Sequence, residues 1–311
     1  MSILVVGSVA FDTVETPFGR AERVLGGSGS FFAVAASFFV PVNLVGVVGR
    51  DFGEKQLAAF AGRNIDLEGL ERADGLTFLW EGKYSHDLNS RDTIRTDLNV
   101  FEFFKPRIPP SYRSSDVVFL GNIDPVLQRE VLEQVKKPRI VACDTMNFWI
   151  SRKAEELRKT LAKVDVLLVN DTEARELSGE WNIVKAARAI RAMGPRTLVI
   201  KKGEHGVLMF SDEGSFAAPA FPLEEVFDPT GAGDTFAGGF LGYLAGAVGP
   251  PDQELRRAII MGSTLASFCV EAFSLDRLLT LTRPEIDARF RQFLELTRFS
   301  EYAGGCCVAP P

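Results

Sequence analysis

A layered α/β fold with a mostly parallel sheet is the fold class that the sequence predicts. Short apolar segments recur along the chain without polar alternation, a pattern typical of strands covered on both faces. Amphipathic segments with helical spacing separate them, so strands and helices alternate as they do in parallel crossovers. Residues 11–18 and 76–104 instead show loose two-residue alternation with no helix between them, which predicts a small antiparallel element inserted into the main domain.

The individual elements follow from β-branched or Leu-rich runs bounded by Gly, Asn, Asp or Pro, and from the amphipathic runs between them. The predicted strands are residues 3–6, 42–48, 117–120, 140–142, 164–169 and 197–200. The predicted helices are residues 54–62, 127–135, 152–162, 172–178, 183–193 and 236–248. We expect a main nucleotide- and substrate-binding α/β domain of residues 1–11, 19–75 and 105–302, a small β element of residues 12–18 and 76–104, and a frayed tail of residues 303–311.

Composition excludes several classes of protein. Of the 311 residues, 46% are hydrophobic and 24% are charged, which is ordinary for a globular chain and excludes general disorder. The net charge of −6 gives no overall attraction to nucleic acid or to anionic lipid, so neither is expected as a partner. The most apolar stretches, residues 31–40 and 236–248, are shorter than the roughly 18–20 residues that a membrane span needs.

The cellular compartment is predicted from the first residues and the cysteines. Residues 1–7 have the pattern of a first strand and lack that of an export signal. The four cysteines are too few and too scattered for a disulfide framework; they are Cys143, Cys269, Cys306 and Cys307. We therefore expect a reducing, cytoplasmic environment.

Residues 228–236 carry the chemistry that the sequence predicts. Gly231 and Gly233 precede a long apolar helical stretch, where successive N–H groups and the helix dipole can bind an anion. The carboxylate of Asp234 lies at the same helix start and can accept a proton from a hydroxyl that attacks a bound phosphate. Phosphoryl transfer to an alcohol is one interpretation; a tight turn with Asp234 as a helix cap is the other.

Other nucleotide and metal motifs are absent from the sequence. Neither Gly-x-x-x-x-Gly-Lys-Ser/Thr nor Gly-x-Gly-x-x-Gly occurs, which excludes a Walker phosphate loop and a dinucleotide fingerprint. The two histidines, His86 and His205, lie near neither a cysteine pair nor each other, which argues against a zinc site.

Six motifs occur in order along nearly the whole chain, at residues 7–12, 26–30, 45–53, 170–173, 200–206 and 228–234. Together they resemble the ribokinase-like (PfkB) carbohydrate kinase family. The resemblance implies a ribokinase-like three-layer α/β/α sandwich in which the small β element is a lid over the sugar. It also implies an ATP- and Mg²⁺-dependent kinase, and dimerisation through the open strand edges of the lid is consistent with it.

The resemblance implies a role for particular residues. Asp234 would be the general base. The glycine turn of Gly231, Ala232, Gly233 and Asp234 would form an anion hole, in which the amides of Ala232, Gly233 and Asp234 stabilise charge on the transferring phosphoryl group. Substrate hydroxyls would be held by Asp12 and by the backbone at Gly26 and Gly27. The nucleotide and magnesium side would comprise Asn170, Glu173, Lys201, Gly203 and Thr230, with Glu173 nearest the metal. A monovalent cation such as K⁺ is a further candidate cofactor.

One departure from the family pattern bears on the substrate. Phe31 occupies the position after the di-glycine turn where many of these sugar kinases have an Asn that binds a sugar hydroxyl. Its ring either faces a flat apolar group such as a nucleobase, or belongs to a helical stripe of the core. Asn122 follows a predicted strand at the end where open α/β sheets bind ligands, and the lid stretch 80–95 offers further polar groups.

The predicted function is an ATP-dependent kinase that phosphorylates a hydroxyl group of a small-molecule sugar. A nucleoside kinase of the same family is the alternative, and a catalytically idle sugar-binding regulatory protein is the alternative from another class. The presence of both Asp234 and the glycine turn argues against the idle protein, because a binder has no need of a base at the transfer point.

Overall fold

Thirteen strands in two sheets form the framework of the computed structural model, which describes residues 1–298. In chain order they are β1 (Ile3–Val6), β2 (Ala10–Thr16), β3 (Gly19–Gly26), β4 (Val42–Val48), β5 (Ile65–Arg72), β6 (Phe78–Tyr84), β7 (Arg91–Asp97), β8 (Val117–Leu120), β9 (Ile140–Asp144), β10 (Val166–Asn170), β11 (Thr197–Lys201), β12 (Val207–Ser211) and β13 (Gly214–Ala218). The central sheet has the order β13-β12-β11-β10-β9-β8-β1-β4-β5. Its strands from β11 to β5 are parallel, and β12 and β13 add an antiparallel edge.

Helices cover both faces of the central sheet. They are α1 (Ser28–Ala36), α2 (Glu54–Leu57), α3 (Pro125–Gln134), α4 (Asn147–Arg152), α5 (Ala154–Leu161), α6 (Asp171–Ser178), α7 (Ile183–Arg191), α8 (Ala232–Gly246), α9 (Pro251–Cys269), α10 (Asp276–Thr280) and α11 (Arg283–Thr297). Ile3 and Val5 of β1 pack in one apolar cluster with α1, α8 and α9, whereas Leu4 and Val6 pack in a second cluster with α3, α5 and α7. The continuous apolar run of β1 is thus explained by burial on both faces, and the three-layer α/β/α sandwich is confirmed.

The second sheet has the order β3-β2-β6-β7, and we call it the lid. The boundaries of the lid differ from the predicted ones, which assigned all of residues 19–75 to the main domain. The structure pairs Gly19–Gly26 antiparallel with Ala10–Thr16, so the lid includes residues 10–26. Half of β3 is exposed, including Arg20, Glu22 and Arg23, so it lacks both the continuous apolar run and the regular alternation that identify strands in a sequence.

Several elements were not predicted or end elsewhere. The edge strand β5 alternates charged and apolar residues, and the hairpin of β12 and β13 follows no helix, so neither matched the pattern of a buried parallel strand. The expected helix 152–162 corresponds to α5, and the separate helix α4, which ends at Arg152, was not predicted. The predicted tail 303–311, with Cys306 and Cys307, lies outside the described residues.

No helix in residues 1–298 combines the length and the apolar character that crossing a membrane would require.

Candidate active site

Polar side chains collect at the carboxyl edge of the central sheet, where its parallel strands end together. Asp144, Asn170 and Lys201 are the last residues of β9, β10 and β11, which are neighbours in the sheet. Asn122 lies two residues beyond the end of β8, the next strand along. The topology therefore brings residues far apart in sequence to one edge, which is where open α/β sheets bind ligands.

Helix α8 begins at this edge with a turn that only glycine adopts easily. Gly231 has φ 76°, in the left-handed region, and a Cβ added there would lie 2.5 Å from ring atoms of Phe31. Asp228 holds the preceding turn, because its carboxylate accepts hydrogen bonds from the amides of Thr230 (2.8 Å) and Ser274 (3.3 Å). The turn directs the first residues of α8 towards the ends of the strands.

The amides of the glycine turn differ in what they bind. The Ala232 N–H donates to the carbonyl of Pro229 at 3.2 Å, so this amide is already engaged. Gly233 and Asp234 lie in the first helical turn, where N–H groups have no partner within the helix. These two amides, with the positive end of the helix dipole, are the better candidates for binding an anion.

An ion pair borders the start of α8. The ammonium nitrogen of Lys201 lies 2.9 Å from Oδ2 of Asp144, and both side chains are largely buried. A Cβ added at Gly233 would lie 3.0 Å from the same nitrogen, so the lysine passes directly alongside the helix start. Burial by itself would lower the pKa of Lys201, but Asp144, Glu173 and Asp234 raise it above its ordinary value. The lysine therefore keeps its positive charge, which a group that binds phosphate would need.

Asp234 has the properties of a proton acceptor near neutral pH. Removal from solvent, followed by the negative charge of Asp144, raises the pKa of Asp234 to about 7. The positive charges of Lys201 and Arg91 act in the opposite direction. A carboxyl with a pKa near the working pH is suited to general base catalysis, because it is both partly ionised and basic enough to take a proton.

Asn170 and Glu173 form a capping box at the start of α6. The Asn170 side chain accepts from the Glu173 amide at 2.7 Å, and Glu173 Oε2 accepts from the Asn170 amide at 2.8 Å. Burial and the charge of Asp144 raise the pKa of Glu173 to about 7. The hydrogen bond from the Asn170 amide engages Oε2 of Glu173, so Oε1 is the carboxylate oxygen that remains for water or metal.

The donor set at the sheet edge suits magnesium. The charge of Asp144 acts on Glu173, and the side-chain oxygen of Asn170 lies beside Glu173, on its backbone amide. Within residues 1–298, no group of three or more His, Cys, Asp or Glu side chains is arranged to hold a metal ion alone. Mg²⁺ fits such a site, because it keeps several waters and is commonly bound by one or two carboxylates together with substrate phosphates.

Asp12 lies on the lid and faces the same space. The Asp12 carboxylate accepts a hydrogen bond from the amide of Gly27. The same carboxylate packs closely on Gly26, where an added Cβ would lie 2.0 Å from Asp12 Oδ2. Burial, then the charges of Asp228 and Asp234, raise the pKa of Asp12 to about 7. The di-glycine turn and this aspartate thus form one unit, which is suited to holding hydroxyl groups.

The hairpin of β6 and β7 connects the lid to the start of α8 and to the turn after β11. The Thr230 hydroxyl donates to the Tyr84 oxygen at 3.2 Å, next to the glycine turn of α8. Near the hairpin tip, Asn89 Nδ2 donates to Glu204 Oε1 at 2.9 Å. Gly203 precedes that glutamate in the turn that follows β11, and it has φ 53°. The lid is therefore closed against the edge that carries the anion-binding groups.

Arg91 adds a positive charge from the lid to this group of carboxylates. It is the register partner of Tyr84 in the hairpin. Its charge lowers the pKa values of three carboxyls, those of Asp12, Glu173 and Asp234. This exposed side chain therefore faces the space enclosed by the lid, the sheet edge and α8.

Two of the residues expected to bind substrate have other partners in the structure. Phe31 is 1% exposed and belongs to the core cluster on the α1 side of the sheet, with its ring against Gly231. Asn122 accepts from the indole nitrogen of Trp149 at 3.0 Å, and its amide nitrogen lies 3.1 Å from Met146 Sδ. Packing explains both positions without a ligand.

Sequence reasoning missed Asp144 and did not single out Tyr84. Asp144 had a detectable signal, because it is the only charged residue of a buried apolar run and stands at its carboxyl end. Tyr84 had no such signal, since its contact with Thr230 joins residues that are 146 positions apart. Asp228 was noted as part of the motif, and its role in holding the turn became visible only in the structure.

Comparison with known proteins gives a consistent result. Residues 2–280 match the model of the pfkB family carbohydrate kinases. The chain is 32% identical over 254 residues to a cytidine kinase of Thermococcus kodakarensis, which covers 79% of this chain and 90% of that protein. It is 25% identical over 295 residues to a nucleoside kinase of Methanothermobacter thermautotrophicus, covering 86% and 89%.

Solved structures share the fold. A nucleoside kinase of Burkholderia thailandensis in complex with inosine superimposes with a TM-score of 0.77 at 21% identity, covering 93% of this chain and 97% of that one. An aminoimidazole riboside kinase of Salmonella enterica, in complex with aminoimidazole riboside and an ATP analog, has a TM-score of 0.72 at 20% identity, covering 93% and 100%.

Proposed function

Because the chain belongs to the pfkB family of carbohydrate kinases, and is thus a phosphotransferase with a hydroxyl acceptor, we propose that it uses ATP to phosphorylate a nucleoside. The observation that carries the proposal is the position of Asp234. Its carboxyl, with a pKa of about 7, stands at the start of α8 among Lys201, Asp144 and the lid residue Arg91. A base beside an anion-binding helix start is the arrangement that phosphoryl transfer to an alcohol requires.

The residues of this chain divide the work of the reaction. Asp12 and the backbone at Gly26 and Gly27 hold hydroxyl groups of the acceptor, which places one hydroxyl near Asp234. Asp234 takes the proton of that hydroxyl while the hydroxyl oxygen attacks the γ-phosphorus of ATP, and ADP leaves. The amides of Gly233 and Asp234 stabilise the negative charge that develops on the transferring group.

The nucleotide side of the site is formed by the ends of β10 and β11. Lys201 supplies a fixed positive charge, and the turn at Gly203 offers backbone close to the lid tip. Asp144 and Glu173 would hold magnesium through one or two carboxylate oxygens and water. When bound, Mg²⁺ neutralises charge on the phosphates of ATP. The lid contacts at Tyr84 and Asn89 limit the access of water to the transfer point.

We favour a nucleoside over a free sugar as the acceptor that the enzyme phosphorylates. The relative with 32% identity is a cytidine kinase, and its match covers most of both chains. Ribokinases from Bacillus subtilis and Haemophilus influenzae match at 28% and 26% identity, so a free sugar is the second candidate. The two candidates share the same catalytic machinery and differ in what lies beyond the ribose.

The test is an assay of ADP release with ATP and magnesium, using a panel of nucleosides and free sugars. The wild-type protein should release ADP with at least one nucleoside faster than with ribose. Asp234→Asn should lower kcat by about 10² to 10⁴, the usual contribution of a general base. Asp252→Asn, at the start of α9, is the matched control and should retain the wild-type rate.

Three outcomes would reject parts of the proposal. A full rate in Asp234→Asn would remove the assigned base. Turnover of free sugars without turnover of any nucleoside would favour the second candidate. Binding of sugar by calorimetry without ADP release from any acceptor would indicate the catalytically idle protein.

A further inference from the structure

Trp80 is an aromatic side chain on the inner face of the lid that the catalytic machinery does not use. It lies on β6 and is the parallel register partner of Asp12 on β2, so both side chains point to the same face. Tyr84 lies four residues after Trp80 on β6, on the same face, and its hydroxyl accepts a hydrogen bond from Thr230. The face that carries Trp80 is therefore the one turned towards α8 and the sheet edge.

The opposite face of the lid confirms this assignment. Thr13, Glu15, Glu81 and Lys83 alternate with the inner residues along β2 and β6. They line a separate depression of about 260 Å³ on the outside of the lid. Charged side chains thus cover the outer face, while an indole occupies the centre of the inner one.

The indole of Trp80 is held flat along the strand by a glycine. A Cβ added at Gly82 would lie 2.2 Å from Cη2 and 2.3 Å from Cζ2 of Trp80, so the ring occupies the space that any other residue would fill. The indole nitrogen lies 3.4 Å from Thr93 Oγ1, within donating distance. The guanidinium carbon of Arg91 lies 5.4 Å from the ring centroid. The ring is thus fixed in orientation but remains partly exposed.

We propose that Trp80 is the platform on which the nucleobase of the acceptor stacks, while Asp12 holds its ribose. This inference rests on the proposed nucleoside kinase function and names the residue that distinguishes nucleosides from free sugars. Asp12 and Trp80 lie on neighbouring strands, whose backbones are about 4.7–4.9 Å apart, and the indole extends from there over Gly82. A ribose held at Asp12 therefore has the indole on the adjacent strand, on the same face of the lid.

Selectivity for nucleosides over ribose follows from this position. Stacking of a base on an aromatic side chain contributes about 1–3 kcal/mol and tolerates different bases, since every base has a flat π-face. In the structure the guanidinium of Arg91 lies over this ring, so a stacked base takes its place there. A free sugar gains nothing from the indole, because it has no flat group to place there.

The kinetic test compares Trp80→Ala and Trp80→Phe with the wild-type protein. Trp80→Ala should raise the KM for the nucleoside by about 5- to 150-fold, the factor that corresponds to the stacking contribution. Trp80→Phe should recover most of this loss, and the KM for ATP should remain unchanged in both. Gly82→Ala should resemble Trp80→Ala, since its Cβ displaces the indole. Trp181→Ala, at an 87% exposed position beyond the end of α6, is the matched control.

A binding measurement tests the platform independently of turnover. Cytidine or inosine should quench the tryptophan fluorescence of the wild-type protein and of Trp181→Ala, whereas ribose should not. In Trp80→Ala the quenching should disappear. An unchanged nucleoside KM in Trp80→Ala, or quenching that survives in that variant, would overturn the proposal. An equal loss for nucleoside and ATP would show that Trp80 only supports the lid. A wild-type protein that is quenched by nucleosides but phosphorylates none would refute the kinase assignment and not the platform.

Discussion

Lys201 and Asp144 form an ion pair of 2.9 Å that joins the carboxyl ends of two strands, β11 and β9, across the strand between them. Because both side chains are largely buried, their charges act over short distances with little screening by solvent. The pair also lies beside the start of α8, so it controls the electrostatic surroundings of Asp234. Its two members have opposite effects there: Asp144 raises the pKa of Asp234 and Lys201 lowers it.

Replacing the lysine should therefore alter both rate and pH dependence. In Lys201→Met the carboxylates lose their buried counter-charge, so the pKa of Asp234 should rise further. We expect the acid limb of the profile of kcat/KM against pH to move to higher pH. We also expect kcat to fall by about 10²-fold or more, as on loss of a group that stabilises transition-state charge. Lys159→Met, on the exposed side of α5, should leave both quantities unchanged. A normal pH profile in Lys201→Met would refute the electrostatic coupling.

The wild-type enzyme should become active as pH rises through about 7. The base must be ionised to accept a proton, and the pKa of Asp234 is raised to about 7. Asp12 and Glu173 ionise in the same range, so the acid limb of kcat/KM should be steeper than a single ionisation allows. Steady-state rates between pH 5 and pH 9 test this expectation. A limb centred near pH 4 would contradict it.

The same raised pKa values should reduce stability at high pH. Unfolded Asp and Glu side chains have pKa values of about 4, so between pH 4 and pH 7 the folded state holds more protons than the unfolded state. The stability that Asp12, Glu173 and Asp234 contribute is therefore greatest below this window and is lost as pH rises through it. Asp234→Asn removes one such group and should raise the Tm at pH 8, by about 2 to 4 °C for each kcal/mol gained. Thermal unfolding at pH 5 and pH 8 checks the sign; an equal shift at both would argue against it.

The glycine turn can be tested by two alanine substitutions in the same part of the chain. Gly231→Ala imposes a left-handed conformation on alanine and directs its Cβ into the ring of Phe31. We expect a loss of about 1–3 kcal/mol in stability and a marked fall in kcat, because the amides of the helix start are displaced. Gly246→Ala, at the other end of α8, meets no atom within 4 Å. It should be neutral or stabilising. Equal behaviour of the two variants in urea unfolding and in turnover would refute the assigned role of the turn.

The periodicity of the sequence predicted most of the central sheet. The apolar runs of β1, β4, β8, β10 and β11 identified strands that are buried on both faces, and the alternation with helices identified the layered architecture. The start of α8 was also readable, because Gly231 and Asp234 act through backbone conformation and helix position, which are local properties. Membership of the pfkB family was visible from the order of the motifs and is confirmed.

Other features depended on contacts that local patterns do not contain. The strand β3 was placed in the wrong domain, since a strand that is half exposed does not show in its sequence which sheet it joins. Phe31 fits a core stripe and a ligand wall equally well by sequence, and its position against Gly231 was decided by the packing of α1 on α8. The pairs Lys201–Asp144 and Tyr84–Thr230 link residues 57 and 146 positions apart.

The sequence by itself determined the layers, the glycine turn at the start of α8 and the family of this protein, because hydrophobic periodicity and glycine conformation act over a few residues. The tertiary structure decided which charges surround Asp234 and which aromatic ring lies beside Asp12. Those relationships arise when the ends of separate strands meet at one edge of the sheet and the lid closes on that edge. Electrostatic and stacking forces depend on the distance between two groups in space and not on their separation along the chain.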